Sequence, residues 1–177
     1  MDILPKQMIN AIDGEESKVD IHCAFFSEEH IISIAICLEE NEHFINNTGA
    51  IVLAQSLKVD LKLEELFPAS NNITHIGCLA LADALVVSST LKMLRVDQNP
   101  IGDQGIQSLA NGLEFNNSLE LLILEKTKCT PIGVFALSQA LKVHTTLKVL
   151  HLDDNNIGDE GVAALCDGLR VNKNLGQ

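Results

Sequence analysis

Three residues near the start of this sequence have side chains that commonly bind zinc in proteins: His22, Cys23 and His30. Zinc sites use thiolate and imidazole ligands at short, characteristic spacings, such as two cysteines separated by two to four residues. The spacing here matches none of these arrangements. The sequence therefore predicts no metal and no cofactor, and we interpret the three residues as ordinary surface or cap side chains.

Two glycine-flanked turns could be mistaken for loops that bind phosphate: GDQG at 102–105 and GDEG at 158–161. Their acidic residues, Asp103 and Asp159, would repel a phosphate group but are favourable at the start of a helix. The sequence also contains no GxxxxGK[ST], GxSxG or HExxH motif and no CxxC pair. It therefore predicts that the chain is not an enzyme and has no catalytic residues.

The five cysteines have no regular spacing, and their number is odd. Such usage argues against a disulfide framework and favours buried free thiols in a reducing compartment. Cys78 and Cys129 fall at predicted core positions, and Cys166 falls in a row of small helix residues. The N-terminal stretch lacks the basic start and apolar centre of a signal peptide, and no apolar run is long enough to span a membrane. We expect a cytoplasmic protein.

A repeat determines how the remaining residues are positioned. Leu91, Leu119 and Leu147 begin three matching segments at intervals of 28 residues, and the same interval extends to earlier segments. Leucines recur at fixed places in each copy, and glycine recurs at the fifteenth place. The sequence therefore predicts five uninterrupted copies, at 35–62, 63–90, 91–118, 119–146 and 147–174.

Each copy changes its hydrophobic period halfway along. Leu150 and Leu152 alternate as in a strand, whereas Val162, Leu165 and Leu169 follow a helical spacing. Each copy is therefore predicted to form a short strand, a turn and a helix that runs back antiparallel to the strand.

Turn and cap residues support this division. Asn99 and Asn155 follow two of the strands, where a side-chain amide can bond to backbone groups that the turn leaves unpaired. Thr130 followed by Pro131 is typical of an N-cap with proline at the first helical position. Pro68 lacks a backbone donor, so we expect weaker strand pairing beside it.

The shared pattern, L-x-x-L-x-L-x-x-N-x-I-x-x-x-G followed by L-x-x-x-L, resembles the leucine-rich repeat of the ribonuclease-inhibitor type. The stretch NNIGDEGVAAL at 155–165 is similar to repeats of NOD-like receptors and of leucine-rich-repeat effectors from intracellular bacteria. The resemblance implies an α/β fold: a curved solenoid with a parallel sheet on the concave face and helices on the convex face.

Residues 1–34 do not follow the repeat and are predicted to form an irregular cap over the first copy. PKQMINAI at 5–12 fits a short helix, and the alternation in 18–26 and 30–38 fits a β-hairpin, with an irregular helix as the alternative. At the other end, 175–177 would begin a sixth copy. Either the last helix is an exposed end of the array, or the array continues in a longer protein.

Residues between the buried leucines of each strand are predicted to line the concave face in columns. Several of them are apolar, which a solvated strand face does not require, and charged residues border them. We predict a protein-binding surface there, formed by Phe67, Met93, Arg95, Asp97, Leu121, Ile123, Glu125, Val149, His151, Asp153 and Asp154. Asp97, Glu125, Asp153 and Asp154 are expected to form its exposed acidic rim.

The formal net charge is −12, from 24 acidic and 12 basic residues. Nucleic-acid binding is disfavoured, because phosphates need a basic stripe and the sequence has none. The acidity favours a protein partner with a basic surface, unless it serves only solubility. The sequence predicts a monomeric, non-catalytic interaction scaffold, either a self-contained adaptor or a bacterial effector delivered into a host cell. The alternative is an enzyme regulator: an inhibitor like ribonuclease inhibitor, or a GTPase-activating leucine-rich-repeat protein, for which Arg95 is the one arginine on the concave face.

Overall fold

A computed structural model describes residues 45–59 and 63–176, in which helices and short strands alternate. The elements are α1 (Asn47–Val59), β1 (Glu65–Leu66), α2 (His75–Val87), β2 (Met93–Arg95), α3 (Gly102–Phe115), β3 (Leu121–Ile123), α4 (Pro131–Val143), β4 (Val149–His151) and α5 (Gly158–Val171). The predicted cap at 1–34 and the predicted strand of the first copy lie outside the described residues.

The four described strands form one parallel sheet in the order β1, β2, β3, β4. Met93 pairs with Leu121, and Leu121 pairs with Val149, so equivalent positions of successive copies lie side by side. Each helix packs against the next helix along the chain. The α/β solenoid with a parallel sheet on one face and helices on the other is therefore confirmed.

The core lies between the sheet and the helices. Leu94 and Leu122 point into it from the strands, and Leu109 enters it from α3; all three are 0% exposed. In the last copy the equivalent leucines are less covered, and Leu169 is 41% exposed, because no further helix among the described residues packs against α5. The predicted leucine register is thus the register of the core.

Small residues allow neighbouring helices to approach closely. A Cβ atom on Gly112 of α3 would lie 2.8 Å from the carbonyl oxygen of Ala82 in α2. Gly168 of α5 has the same relation to the carbonyl oxygen of Ser138 in α4, also at 2.8 Å. Any larger residue at either position would push the two helices apart.

The predicted asparagine turns form hydrogen bonds between copies. The side chain of Asn99 donates to the Pro68 carbonyl at 2.8 Å and accepts from the Ile73 amide at 2.9 Å. Asn155, two copies further along the chain, makes the equivalent bonds: its side chain donates to the Leu124 carbonyl at 2.7 Å and accepts from the Cys129 amide at 3.0 Å. Each amide thereby satisfies backbone groups of the preceding copy as well as its own.

The helices begin in two different ways, which alternate along the array. Thr74 and Thr130 are the N-caps of α2 and α4, and Pro131 takes the first position of α4, as predicted. The helices α3 and α5 have no side-chain cap, and each begins at a glycine with positive φ, Gly102 at 65° and Gly158 at 61°. Glycine adopts this backbone conformation without the steric cost that other residues have.

The preceding copy contributes a second acceptor to each threonine-capped helix. Asp103 accepts from the Thr130 amide at 2.8 Å, from its hydroxyl at 2.7 Å and from the Gly133 amide at 3.1 Å. Asn47 makes the equivalent bonds to Thr74 and to the start of α2. Asp103 lies in the first turn of its own helix, as expected, and its carboxylate also connects two copies.

Two further features follow from the sequence. The strand β1 has two residues whereas the other strands have three, and it ends before Pro68, as expected for a residue that cannot donate to the ladder.

Within the described part of the chain, no helix combines the length and the apolar character needed to cross a membrane.

Candidate protein-binding surface

The sheet presents a line of apolar side chains on its concave face, the side that points away from the helices. Met93, Leu121 and Val149 occupy paired positions on β2, β3 and β4, and Ile123 lies two residues further along β3. Val149 is 38% exposed, and the other three are partly exposed. We call these four residues the apolar strip.

Ion pairs border the apolar strip where the strands begin. Lys92 Nζ lies 2.9 Å from Glu64 Oε1, and Lys148 Nζ lies 2.7 Å from Glu120 Oε2. The hydrogen bond with Glu64 raises the pKa of Lys92, and the hydrogen bond from Lys148 lowers the pKa of Glu120. Both pairs are exposed to solvent, so they contribute little to stability, but they keep charge next to the apolar strip.

Asp97 was predicted to belong to the exposed acidic rim, and this prediction is wrong. Its side chain is 0% exposed, and its carboxylate accepts from Arg95 Nε at 2.7 Å and from Arg95 Nη2 at 3.3 Å. A buried carboxylate needs such a partner to offset its lost hydration. Arg95 itself lies on the concave face and is exposed, as predicted, but its guanidinium is engaged by Asp97.

The other predicted acids lie where the strands end. Each strand is followed by a residue with positive φ, such as Lys126 at 53° and Asp154 at 54°. Backbone bonds continue past the strands there: the Lys126 amide donates to the Asp153 carbonyl at 3.1 Å. Asp153 and Asp154 are exposed, and Glu125 is partly exposed. The acidic rim therefore consists of Glu125, Asp153 and Asp154 without Asp97.

His151 stands between two of these acids. Its Nδ1 atom lies 3.6 Å from Glu125 Oε1 and 3.5 Å from Asp153 Oδ2. Phe67 follows β1 in the same column as Arg95 and His151 and is partly buried. Apart from Asp97, the structure thus brings the predicted surface residues together on one face with partial or full exposure.

The most exposed apolar side chains lie elsewhere, on the helices of the convex face. Ile132 and Phe135 of α4 are 71% and 59% exposed, respectively. A second set repeats at the C-terminal ends of the four helices α2 to α5, all more than half exposed: Val87, Phe115, Val143 and Val171. This row was not predicted from the sequence, although apolar residues at one fixed place in successive copies were a detectable signal.

Two of the three described thiols, those of Cys78 and Cys129, are unsuited to nucleophilic chemistry. Burial raises the pKa of Cys78 and that of Cys129 to about 12, so both thiols stay protonated at neutral pH. The nucleophilic form of cysteine is the thiolate. Cys166 was expected to be buried and is instead exposed, because its copy is the last one described. A depression of about 240 Å³ is lined by Glu120, Thr145, Thr146, Lys148 and Asn174, and two of its charged side chains, Lys148 and Glu120, pair with each other.

Comparisons with known proteins agree with this geometry. A family model described as "Leucine Rich repeat" matches residues 87–110 and 143–166. No curated protein sequence matches the chain. A solved structure described as "Leiomodin-1 Actin-Binding Site 2 (ABS2)" superposes with a TM-score of 0.64 at 21% identity, covering 69% of this chain and 73% of that one.

The tropomodulin C-terminal domain from Caenorhabditis elegans superposes with a TM-score of 0.61 at 18% identity, covering 71% of this chain and 78% of that one. At these identities the likeness concerns the fold alone. The ribonuclease-inhibitor type and the similarity to NOD-like receptor repeats stay predictions. The matched repeats, the parallel sheet and the two superposed structures together identify the fold of this chain as a leucine-rich repeat.

Proposed function

We propose that this chain is a non-catalytic scaffold that binds a protein partner on its concave face. The observation that carries the proposal is the apolar strip: Met93, Leu121, Ile123 and Val149 lie together on three adjacent strands, partly exposed to solvent. Charged side chains border it at both ends of the strands. Grouped apolar side chains with a charged border are a common feature of interaction surfaces.

The apolar strip would supply most of the affinity. Burying apolar surface stabilises a complex by about 25 cal/mol per Å² before the costs of association. The strip is held by strand pairing, so little backbone ordering would be needed on binding. The chain has no tryptophan and no tyrosine, which are frequent binding hot spots. We therefore expect a complex of modest affinity.

Charge would act mainly on the rate of association. The net charge of −12 and the acidic rim of Glu125, Asp153 and Asp154 favour a partner with a basic surface. Attraction between opposite surfaces accelerates encounter more than it tightens the final complex. The same acidity disfavours nucleic acid, because its phosphates require a basic surface.

Two partner classes follow from the similarities. The resemblance to leucine-rich-repeat effectors of intracellular bacteria makes host-cell proteins the first class, with the chain acting in the cytoplasm of a host. The superposed leiomodin-1 structure is that of an actin-binding site, so actin is one purified protein to test. The proposal does not depend on either identity.

The alternative function, regulation of an enzyme, has less support. A GTPase-activating protein needs a polar residue or arginine that reaches the nucleotide site of its partner, and Arg95 is the concave arginine among the described residues. Its bonds to Asp97 hold it against the sheet. We expect no acceleration of GTP hydrolysis when the chain is added to small GTPases.

The experiment that tests the proposal is capture of partners from a eukaryotic lysate, with purified actin tested separately. The wild-type chain and a variant carrying Leu121→Glu in the apolar strip are immobilised at equal density, and bound proteins are identified by mass spectrometry. We expect at least one protein to bind the wild-type chain and not the variant. Identical sets of captured proteins would contradict a binding role for the apolar strip.

A further inference from the structure

Glu125, His151 and Asp153 form a compact group of metal-binding side chains on the concave face. One ligand atom from each residue lies within 4.8 Å of the other two. The three residues come from two neighbouring copies, so no local spacing in the sequence indicated the group, and no metal was predicted from the sequence.

The two separations between the imidazole and the carboxylates fit a shared ion better than direct pairing, and all three ligand atoms lie within 4.8 Å of one another. A hydrogen bond from an N–H group to an oxygen spans about 2.7–3.2 Å, whereas His151 Nδ1 lies 3.6 Å from Glu125 Oε1 and 3.5 Å from Asp153 Oδ2. Around a tetrahedral zinc ion with bonds of about 2.0–2.2 Å, ligand atoms lie about 3.3–3.6 Å apart. The imidazole is therefore already at the distance from both carboxylates that one bound ion requires.

The backbone fixes the three residues relative to one another. His151 pairs with Ile123 across the sheet, and its carbonyl accepts from the Leu124 amide at 2.9 Å. The Asp153 carbonyl accepts from the Lys126 amide at 3.1 Å, directly beside Glu125. The ligands thus project from paired backbone, so an ion would need to reorder side chains only.

The local charge is also suited to a cation. Glu125 and Asp153 supply two carboxylates around a single imidazole, and Lys126, which follows Glu125 in the chain, pairs with Asp154 at 3.4 Å. The side chains of His151 and Asp153 are 43% and 70% exposed, so an ion can enter from solvent without any opening of the fold.

The type of ligand selects the class of ion. Magnesium and calcium prefer sites made only of oxygen atoms, whereas imidazole with carboxylates suits zinc and neighbouring transition metals. Three protein ligands leave the fourth tetrahedral position for water or for a side chain of a bound partner.

We propose that Glu125, His151 and Asp153 bind a divalent transition-metal ion of the zinc class on the concave face. The proposal goes beyond the scaffold function and does not require it, because the ion would bind the isolated chain. The ion would convert an acidic part of the surface into one that can coordinate a side chain of a partner.

The test uses the full chain, stripped of metal with a chelator and titrated with zinc chloride. Calorimetry gives the number of zinc ions bound, and a nitrogen–proton correlation spectrum of the imidazoles shows which histidines bind. We expect the His151 imidazole to shift, His151→Ala to lose one equivalent of zinc, and Glu125→Gln to bind that equivalent more weakly.

The matched control is His75→Ala, which removes another exposed histidine on a different face, at the start of α2. It should bind as many zinc ions as the wild-type chain, and magnesium chloride should leave the His151 signals unchanged. An unshifted His151 imidazole, equal zinc stoichiometry in wild type and His151→Ala, or an equal response to magnesium would each overturn the proposal.

Discussion

Replacing Asp103 with alanine should weaken the array through a contact between copies. The Asp103 carboxylate accepts three hydrogen bonds from the start of α4: from the amide and hydroxyl of Thr130 and from the amide of Gly133. Alanine removes all three, while Thr130 keeps its own bond to the Ile132 amide at 3.3 Å. The loss therefore falls on the connection between the copies.

The magnitude follows from the bonds that are lost. Removing an N-capping side chain costs about 0.5–2 kcal/mol, and hydrogen bonds to a charged group contribute about 1.5–3 kcal/mol each when water cannot replace them. Asp103 is partly exposed, so water would satisfy some of the freed donors. We expect the free energy of unfolding to fall by about 2 kcal/mol.

Two further variants separate this contact from other effects. Asp159→Ala changes the equivalent residue of the last copy, whose side chain is exposed and makes no hydrogen bond to another described residue. This variant should lower the free energy of unfolding by only about 0.3–1 kcal/mol, the usual contribution of an acidic side chain in the first turn of a helix. Asp103→Asn should retain most of the stability, because Asn47 makes the same bonds to Thr74 and Gly77 at the start of α2.

The assay is equilibrium unfolding in urea, followed by circular dichroism, with the three variants and the wild-type chain compared under one set of conditions. Equal losses for Asp103→Ala and Asp159→Ala would refute the reasoning, because only the first of the two residues bonds to the next helix.

Three more outcomes are expected. Leu109→Ala, at a site that is 0% exposed, should lower the free energy of unfolding in urea by about 2–5 kcal/mol, and Leu165→Ala at the equivalent, less buried place should cost less. Changing Asp153 and Asp154 together to Asn should slow association with a basic partner in stopped-flow measurements, with the difference mostly lost at high salt, since exposed charges are screened beyond ~8–10 Å. Burial raises the pKa of Cys78 from 9.0 to about 12. The thiol of the unfolded chain therefore ionises at a lower pH than that of the folded chain. The contribution of Cys78 to the free energy of unfolding is fully present below about pH 9 and is lost as the pH rises toward 12. Urea unfolding at both ends of that range should show a smaller fall for Cys78→Ala than for the wild-type chain.

The fold could be predicted from the sequence because the same pattern of apolar residues recurs in every copy of the repeat. Leu94 and Leu122 recur at one place in successive copies, and only one strand register buries them together. The asparagine turns and the Thr130 cap were predictable for the same reason, since each depends on backbone groups close to it in the chain.

The candidate site was less predictable because it depends on contacts between side chains of different columns or copies. Asp97 and Glu125 occupy equivalent places, yet Asp97 is buried against Arg95 whereas Glu125 faces His151 of the next strand. The two acids differ in burial because of the residue two places before each of them. That residue is Arg95 for Asp97 and the apolar Ile123 for Glu125. The contact of Asp103 with the next helix was hidden for a related reason, since its partner lies 27 residues away.

The central claim, that a partner binds the concave face, is tested most directly by measuring its affinity for two arginine variants. Ile123→Arg alters the apolar strip, and the fold should tolerate it, because Arg95 already occupies the paired position of β2. Phe135→Arg is the matched control in the same copy, at a side chain that is 59% exposed on the convex helix α4. With a captured partner in surface plasmon resonance, we predict that Ile123→Arg abolishes binding and Phe135→Arg leaves the dissociation constant unchanged. Unchanged binding by Ile123→Arg together with loss of binding by Phe135→Arg would place the site on the convex face and contradict the account.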